Sequence, residues 1–412
     1  MLRVRGLKFL ETYYILVKMD LVFATEARFF KGEGHRYYTD SASFGMQLWE
    51  RYLSSFDKIY IMARVSELKN NFSSDYCIDD SRIAFIPIPY YVGFVDFFKR
   101  YMQVKRAIKL NALSGRAYIC RVPGQIGQIL AGILKSRHIP YAVEVVGDPW
   151  DVFAPGSISH PLAPLFRVVG FFTLRKVVIG AKDVLYVTKY SLQYRYPCDK
   201  DAYSTYASDV KIDASLLASF SKRYISFSAE RAFSFLAVGS LEQMYKAPDI
   251  QLEALALLKE QGYKVKLKWM GDGKYKSPME DYARQLGVDN NVEFVGAVSS
   301  ERIYEELMSA DLFLHVSRTE GLPRAIIEAM VCGLPCIGTR VGGIPELLDE
   351  KALIISGDSK ALANKIQEFI SNSTLMNEQA MRNWNKAKSY DNRILTQRRA
   401  DFYQHIINSV NQ

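Results

Sequence analysis

The sequence predicts an α/β protein built from two doubly wound, Rossmann-like domains. Three observations lead there. Short apolar runs of strand length alternate with amphipathic helical segments along most of the chain, the pattern of a parallel sheet covered on both faces. Several runs end in glycine-bearing turns, such as Val238-Gly239-Ser240 and Met270-Gly271-Asp272, and ligands bind at that carboxyl edge in such folds. The chain has 412 residues, enough for two domains that each bury a core.

Composition narrows the function classes. With 49% hydrophobic and 24% charged residues, the chain is neither disordered nor membrane-spanning. Five scattered cysteines point to a reducing compartment. Cys332 and Cys336 have no second ligand pair, so they read as small buried hydrophobes rather than zinc ligands. The net charge of +9 is uneven: residues 1–230 hold 31 Lys+Arg against 21 Asp+Glu, and residues 231–412 hold 22 against 23. A basic first half suits anionic lipid or an anionic substrate. Nucleic acid is not expected, because no helix-turn-helix, zinc-finger or RNP-type motif is present.

In chain order, residues 1–18 are basic and apolar but are broken by Glu11 and lack a small-residue cleavage site, so a signal peptide is not expected. They read as a non-essential leader or a membrane-touching one. Met19 to Thr25 is the first strand, followed by a loop holding Gly34, a helix from about Ser43 to Ser54, and a strand at Lys58–Arg64. From Tyr90 to Lys109, Phe94, Phe97, Phe98, Tyr101 and Met102 alternate with Lys99, Arg100, Lys105, Arg106 and Lys109. That spacing fits a helix lying in a membrane interface, and equally an amphipathic helix with a solvated basic face. Ala117–Gly127 is a strand running into a helix start, and Tyr141–Asp151 is a strand ending in a turn. The apolar run Leu162–Ala181 is interrupted by Pro164, Arg167, Arg175 and Lys176, short of the roughly 20 residues a span requires. Asp183–Thr188 is the expected last strand of the first domain. Residues 207–232 lose periodicity and read as the linker. Strands near 233–239, 266–270, 292–295, 312–316, 335–338 and 353–355 then alternate with helices. Domain bounds follow as 1–220, 221–390 and a terminal helix, 391–412.

Ser317 to Glu346 carries the chemistry. A buried-strand signature, Asp311-Leu-Phe-Leu-His-Val, feeds a polar loop with Glu320 and Gly321, and Pro323 is placed as the first residue of a helix containing Glu328. At about 1.5 Å per residue the two carboxylates lie up to roughly 12 Å apart, with the helix's free N–H groups and positive dipole end between them. Gly333-Leu-Pro and Val341-Gly342-Gly343-Ile344-Pro345-Glu346 follow.

This run closely resembles the signature of retaining GT-B glycosyltransferases of family 4, which pairs E-x₇-E with a G-x-P and a Gly-Gly loop. The resemblance implies a GT-B fold, a nucleotide-diphosphate sugar donor as substrate, and no bound metal or other cofactor. It implies that Glu320 faces the donor sugar, that Glu328 holds the ribose hydroxyls and that Lys246 neutralises the diphosphate. Gly239-Ser240-Leu241 with Lys246-Ala247-Pro-Asp is similar to the family's G-R-L…K-G-x-D, with Ser240 where the arginine would stand; Arg318 and Arg324 are candidate replacements. Gly271, Gly296, Gly321 and Leu322 complete the donor-binding set. In the family the loop after the first strand faces the cleft, which makes Gly34 a candidate beside an ordinary-turn reading. Gly147 stands where many members have a sugar-touching histidine, and Asp148 follows it.

The function expected is retaining sugar transfer to an acceptor, a lipid-linked saccharide in surface polysaccharide biosynthesis. The location expected is cytoplasmic, peripheral at the inner face of the cell membrane, in contact with anionic lipid. The alternative is a non-catalytic nucleotide-sugar-binding or partner subunit, motivated by Ser240 and Gly147.

Overall fold

The computed structural model describes residues 19–68, 76–154, 160–212, 214–218, 220 and 232–411. The leader 1–18 and residues 221–231 of the expected linker lie outside the described residues.

Two α/β lobes are present, each around its own sheet. The first sheet contains β1 (Leu21–Lys31), β2 (Tyr37–Thr39), β3 (Ile59–Glu67), β4 (Cys77–Ile78), β5 (Ile83–Pro89), β6 (Ala117–Val122), β7 (Ala142–Val145), β8 (Asp183–Tyr186) and β9 (Tyr203–Tyr206). Its parallel part runs β5-β3-β1-β6-β7-β8-β9. β2 pairs antiparallel with the far end of β1, and β4 with β2. The second sheet contains β10 (Phe233–Val238), β11 (Val265–Met270), β12 (Val292–Gly296), β13 (Leu312–His315), β14 (Cys336–Thr339) and β15 (Leu353–Ile354), in the order β12-β11-β10-β13-β14-β15. All its pairings are parallel. Strand order reverses between β1 and β6 and between β10 and β13, and a crevice opens at the carboxyl ends where it does.

The strand period decides which side chains meet which layer. Along β1, Leu21 and Phe23 join one buried cluster while Val22 and Ala24 join the other, as alternation across a sheet covered on both faces requires. Val104, Leu130, Leu134, Leu174 and Val178 from the covering helices pack on the Val22 face. Each such fully buried side chain contributes about 1.5–3 kcal/mol relative to exposure.

Several local expectations are corrected. The first sheet does not end with Asp183–Thr188: β8 stops at Tyr186, and β9, Tyr-Ser-Thr-Tyr, adds an edge strand without an apolar run. β5 went unpredicted because Pro87 and Pro89 argue against a strand, yet among the described residues it pairs only with β3, at the sheet edge, where proline is tolerated. The helix expected at 90–109 runs Gly93–Asn111, and the apolar run at 162–181 is a helix, Ala163–Ile179. Pro323 is not the first helical residue but the cap before helix Arg324–Val331, at φ −72° and ψ 114°.

Helix Asn392–Asn411 follows the second lobe in sequence and packs on the first. Tyr403 places its ring 5.2 Å from Tyr52 and 5.6 Å from Phe56, and His405 stacks on Tyr203 at 3.8 Å. Arg399 donates to the Ser208 carbonyl and lies 3.6 Å from Asp209, which also pairs with Arg51 at 3.1 Å and Arg121 at 2.8 Å. Burial works to raise the pKa of Asp209, but Arg121 and Arg51 hold it far below the usual carboxylate range. Among the described residues, no helix is long and apolar enough to cross a membrane.

Candidate active site

The site forms where β10 and β13, neighbours at the second sheet's switch point, release their chains. After β10 the chain passes Gly239 and Ser240 and makes a turn, Met244–Lys246. After β13 it passes Ser317 and reaches Glu320. Lys246 Nζ donates to Glu320 Oε1, so the two sequence-predicted catalytic residues form one partly buried ion pair. His315 Nε2 reaches the same oxygen at 2.8 Å, and Ser317 Oγ donates to it at 2.8 Å. Among the described residues, every hydrogen bond to this carboxylate ends on Oε1. Oε2 therefore keeps its accepting capacity for a ligand.

Burial pushes the Glu320 pKa up, but Lys246 and then His315 outweigh it and hold the carboxyl well below the usual carboxylate range. Burial, reinforced by Lys246, lowers the His315 pKa despite the opposing pull of Glu320. At neutral pH His315 is thus a neutral donor and Glu320 a fixed anion. Glu328, inside helix Arg324–Val331, is shifted the other way: burial raises its pKa and Arg324 only partly offsets this. Exposed Arg324 lies in the first turn of that helix.

A cavity of about 210 Å³ adjoins Glu320. Gly147, Asp148 and Val152 line it from the first lobe, and Gln243, Tyr245, Thr319, Glu320 and Gly321 from the second. The contact is close, since a Cβ on Gly321 would crowd the Val146 carbonyl at 2.8 Å. Gly342, at φ +51°, brings the Gly-Gly loop against the Glu320 backbone; a Cβ there would overlap the Glu320 carbonyl. Gly343 N–H donates to the Gly321 carbonyl at 2.7 Å, and Leu322 packs partly buried against the core. A second cavity, about 860 Å³, is lined by Phe171, Arg175, Tyr190, Ser191, Tyr194 and Arg195 from one lobe and Gly342, Pro345 and Glu346 from the other.

The strand-end glycines are stitched together. Gly239 N–H donates to the Met270 carbonyl at 2.9 Å, and Gly271 N–H to the Gly296 carbonyl at 2.8 Å. Ser240 Oγ accepts from Glu242 N–H at 3.2 Å, a turn contact inside its own loop.

Residues 221–389 match the family of glycosyl transferases group 1. This chain carries a glycosyl transferases group 1 domain. It is a glycosyltransferase, and its β10–β15 sheet, with both Glu320 and Lys246, falls inside the matched segment. Protein CapJ of Staphylococcus aureus is 26% identical over 353 residues, covering 85% of this chain and 87% of CapJ. The colanic acid biosynthesis glycosyltransferase WcaL of Escherichia coli, whose name is qualified as putative, is 33% identical over 133 residues, covering 30% of this chain and 33% of WcaL. Among solved structures, sucrose-phosphate synthase from Thermosynechococcus elongatus superposes with a TM-score of 0.66 at 14% identity, covering 95% of this chain and all of that one. Anabaena HepE in complex with UDP-glucose superposes at 0.59 and 17% identity, covering 95% and 99%. The shared architecture is the two-lobed GT-B fold.

Three residues proposed to bind donor are otherwise engaged in this glycosyltransferase. Arg318 forms a two-pronged pair with Asp249, at 3.0 and 2.6 Å, and donates to the Met244 carbonyl at 2.7 Å. It clamps the Met244–Lys246 turn, which carries Lys246. Asp148 lines the smaller cavity, but its carboxylate caps Trp150 N–H at 2.8 Å, accepts from Tyr196 Oη and pairs with Arg195. Gly34 sits in the turn between β1 and β2 at φ +65° and lines neither cavity, which favours the ordinary-turn reading. Sequence reasoning missed His315 and Ser317. The signal for His315 was a histidine at the last position of an otherwise apolar strand, next to the release point of the catalytic loop.

Proposed function

We propose that this glycosyltransferase moves a sugar, with retention of anomeric configuration, from a nucleotide-diphosphate sugar to a lipid-linked saccharide in surface polysaccharide biosynthesis. The observation that carries it is the Glu320–Lys246 pair beside a cavity walled by both lobes. The ionised Glu320 stabilises positive charge as the bond from the anomeric carbon to the diphosphate oxygen breaks. Lys246 and the amides at the start of helix Arg324–Val331 receive the negative charge of the leaving nucleoside diphosphate. The acceptor hydroxyl attacks from the face the diphosphate leaves, and its proton passes to the departing phosphate oxygen. Charge neutralisation assigned to Lys246 gives the reaction no need of a metal. Glu328 takes the ribose hydroxyls, for which a half-buried carboxylate is a strong acceptor. HepE holding UDP-glucose supports a nucleotide-sugar donor, and the colanic acid role in WcaL's name supports a polysaccharide product.

Membrane contact belongs to the same reading. Helix Gly93–Asn111 exposes Val95, Phe98 and Met102, and helix Ala163–Ile179 exposes Leu165, Val168, Val169 and Phe172. Phe94 and Phe166 stack at 4.9 Å and join the two helices. Exposed Lys99, Lys105, Arg106 and Lys109 accompany them, an apolar face with cations that suits an anionic bilayer surface at the cytoplasmic side.

The test is product analysis with a panel of UDP-, GDP- and ADP-sugars and lipid-linked acceptors. Transfer by wild type, with Glu320→Gln and Lys246→Ala each slower by about 10²–10³ and still folded, supports the reading. Near-normal turnover in either variant would sink it.

A further inference from the structure

The first lobe offers three successive backbone N–H groups, those of Lys189, Tyr190 and Ser191, and all three donate to one side chain of the second lobe. Glu346 Oε2 accepts from Lys189 at 2.7 Å; Oε1 accepts from Tyr190 at 2.9 Å and from Ser191. Ser191 Oγ also donates to the Gly342 carbonyl at 2.8 Å. The hook is stiff, because Thr188 Oγ1 accepts from Leu192 N–H at 3.0 Å and the Thr188 carbonyl accepts from Gln193 Nε2 at 2.6 Å. On the other side, Gly343 N–H ties the same segment to Gly321, the neighbour of Glu320. The larger cavity is lined by Tyr190, Ser191, Gly342 and Glu346 together, so this junction forms part of its wall.

We propose that Glu346 is a latch that holds the two lobes together and positions the Glu320 loop. It is a positioning residue and touches no reacting atom. A carboxylate suits the task because two oxygens must both accept; an amide would turn an N–H₂ toward one of the three donors. Its link to Glu320 rests on the transferase reading, but the latch itself does not.

The test uses full-length wild type, Glu346→Ala, Glu346→Gln and Ser191→Ala, with Glu350→Ala as a control that touches only the exposed pair with Arg340. Hydrogen exchange at the amides of residues 189–191 should speed up by about tenfold or more in Glu346→Ala and less in Glu346→Gln. The small-angle scattering radius of gyration should rise in all three latch variants, with Tm unchanged. kcat should fall in step with the radius, and Glu350→Ala should change none of these. Wild-type exchange and radius in Glu346→Ala overturn the proposal. If that variant folds poorly, an unchanged radius in Ser191→Ala does the same. Failure of the transferase reading would show separately, as no sugar transfer by wild type.

Discussion

Glu320 spends one oxygen on three donors and keeps the other, and the sequence revealed only part of that arrangement. E-x₇-E with its glycine loop marked Glu320, and the lysine before Ala-Pro-Asp marked Lys246. His315 was invisible as a partner because strand pairing between β10 and β13, a long-range event, is what lifts it beside the turn. The setting of Arg318 was hidden for the same reason: its charge is answered by Asp249, a residue 69 positions away. Arg318→Ala should therefore loosen the Met244–Lys246 turn and reduce kcat/KM by about tenfold or more, which steady-state kinetics would check. His315 gives a pH signature. Its folded pKa lies below its ordinary value of 6.5, so the unfolded chain binds the proton more readily. Stability is then lost as pH falls below about 6.5, and His315→Gln should flatten the decline between pH 5 and 7 in urea melts.

The elements read most easily were those with a single burial environment. β10 and β13 are largely apolar runs inside a parallel sheet and β11 alternates lysines with buried apolar residues, and the sequence places each within a residue or two. Edge strands β5 and β9 escaped because one carries prolines and the other is polar, which only their position at the sheet edge permits. Helix Asn392–Asn411 is the element on which the first lobe leans. Tyr403→Ala should cost about 3–5 kcal/mol, seen as a fall in Tm, since it empties the space between Tyr52 and Phe56. Asp183, at the start of β8, faces the same helix: burial raises its pKa to about 6, with Ser409 and His405 opposing. Its protonated form is favoured in the fold, so its contribution is present below pH 4 and lost as pH rises through 6. Asp183→Asn should raise Tm at pH 8 and leave it near wild type at pH 4.

At the scale of the molecule, the uneven charge becomes a surface with a direction. Many of its exposed aromatic and aliphatic residues lie on two helices of the basic lobe, and the periodicity at 90–109 pointed to one of them. The second, Ala163–Ile179, read only as an interrupted apolar run too short to span, until packing left Phe172 and Leu165 outside. The double variant Phe98→Asp, Phe172→Asp should lose most flotation with vesicles containing anionic phospholipid at low salt. Wild-type binding should itself fall as salt rises, as screening of the lysines requires; flotation of the double variant equal to wild type would remove the membrane from the account.

The return of the last helix also sets a timetable for biosynthesis. The first lobe leaves the ribosome early, with Asp209, Arg51 and Arg121 already in place, but Arg399 and Tyr403 arrive only after the whole second sheet has been made. At 5–20 residues per second the wait is about 10–40 s. During that interval the aromatic notch around Tyr52 and Phe56 lacks the Tyr403 ring that covers it, the weak point of an otherwise well-covered lobe.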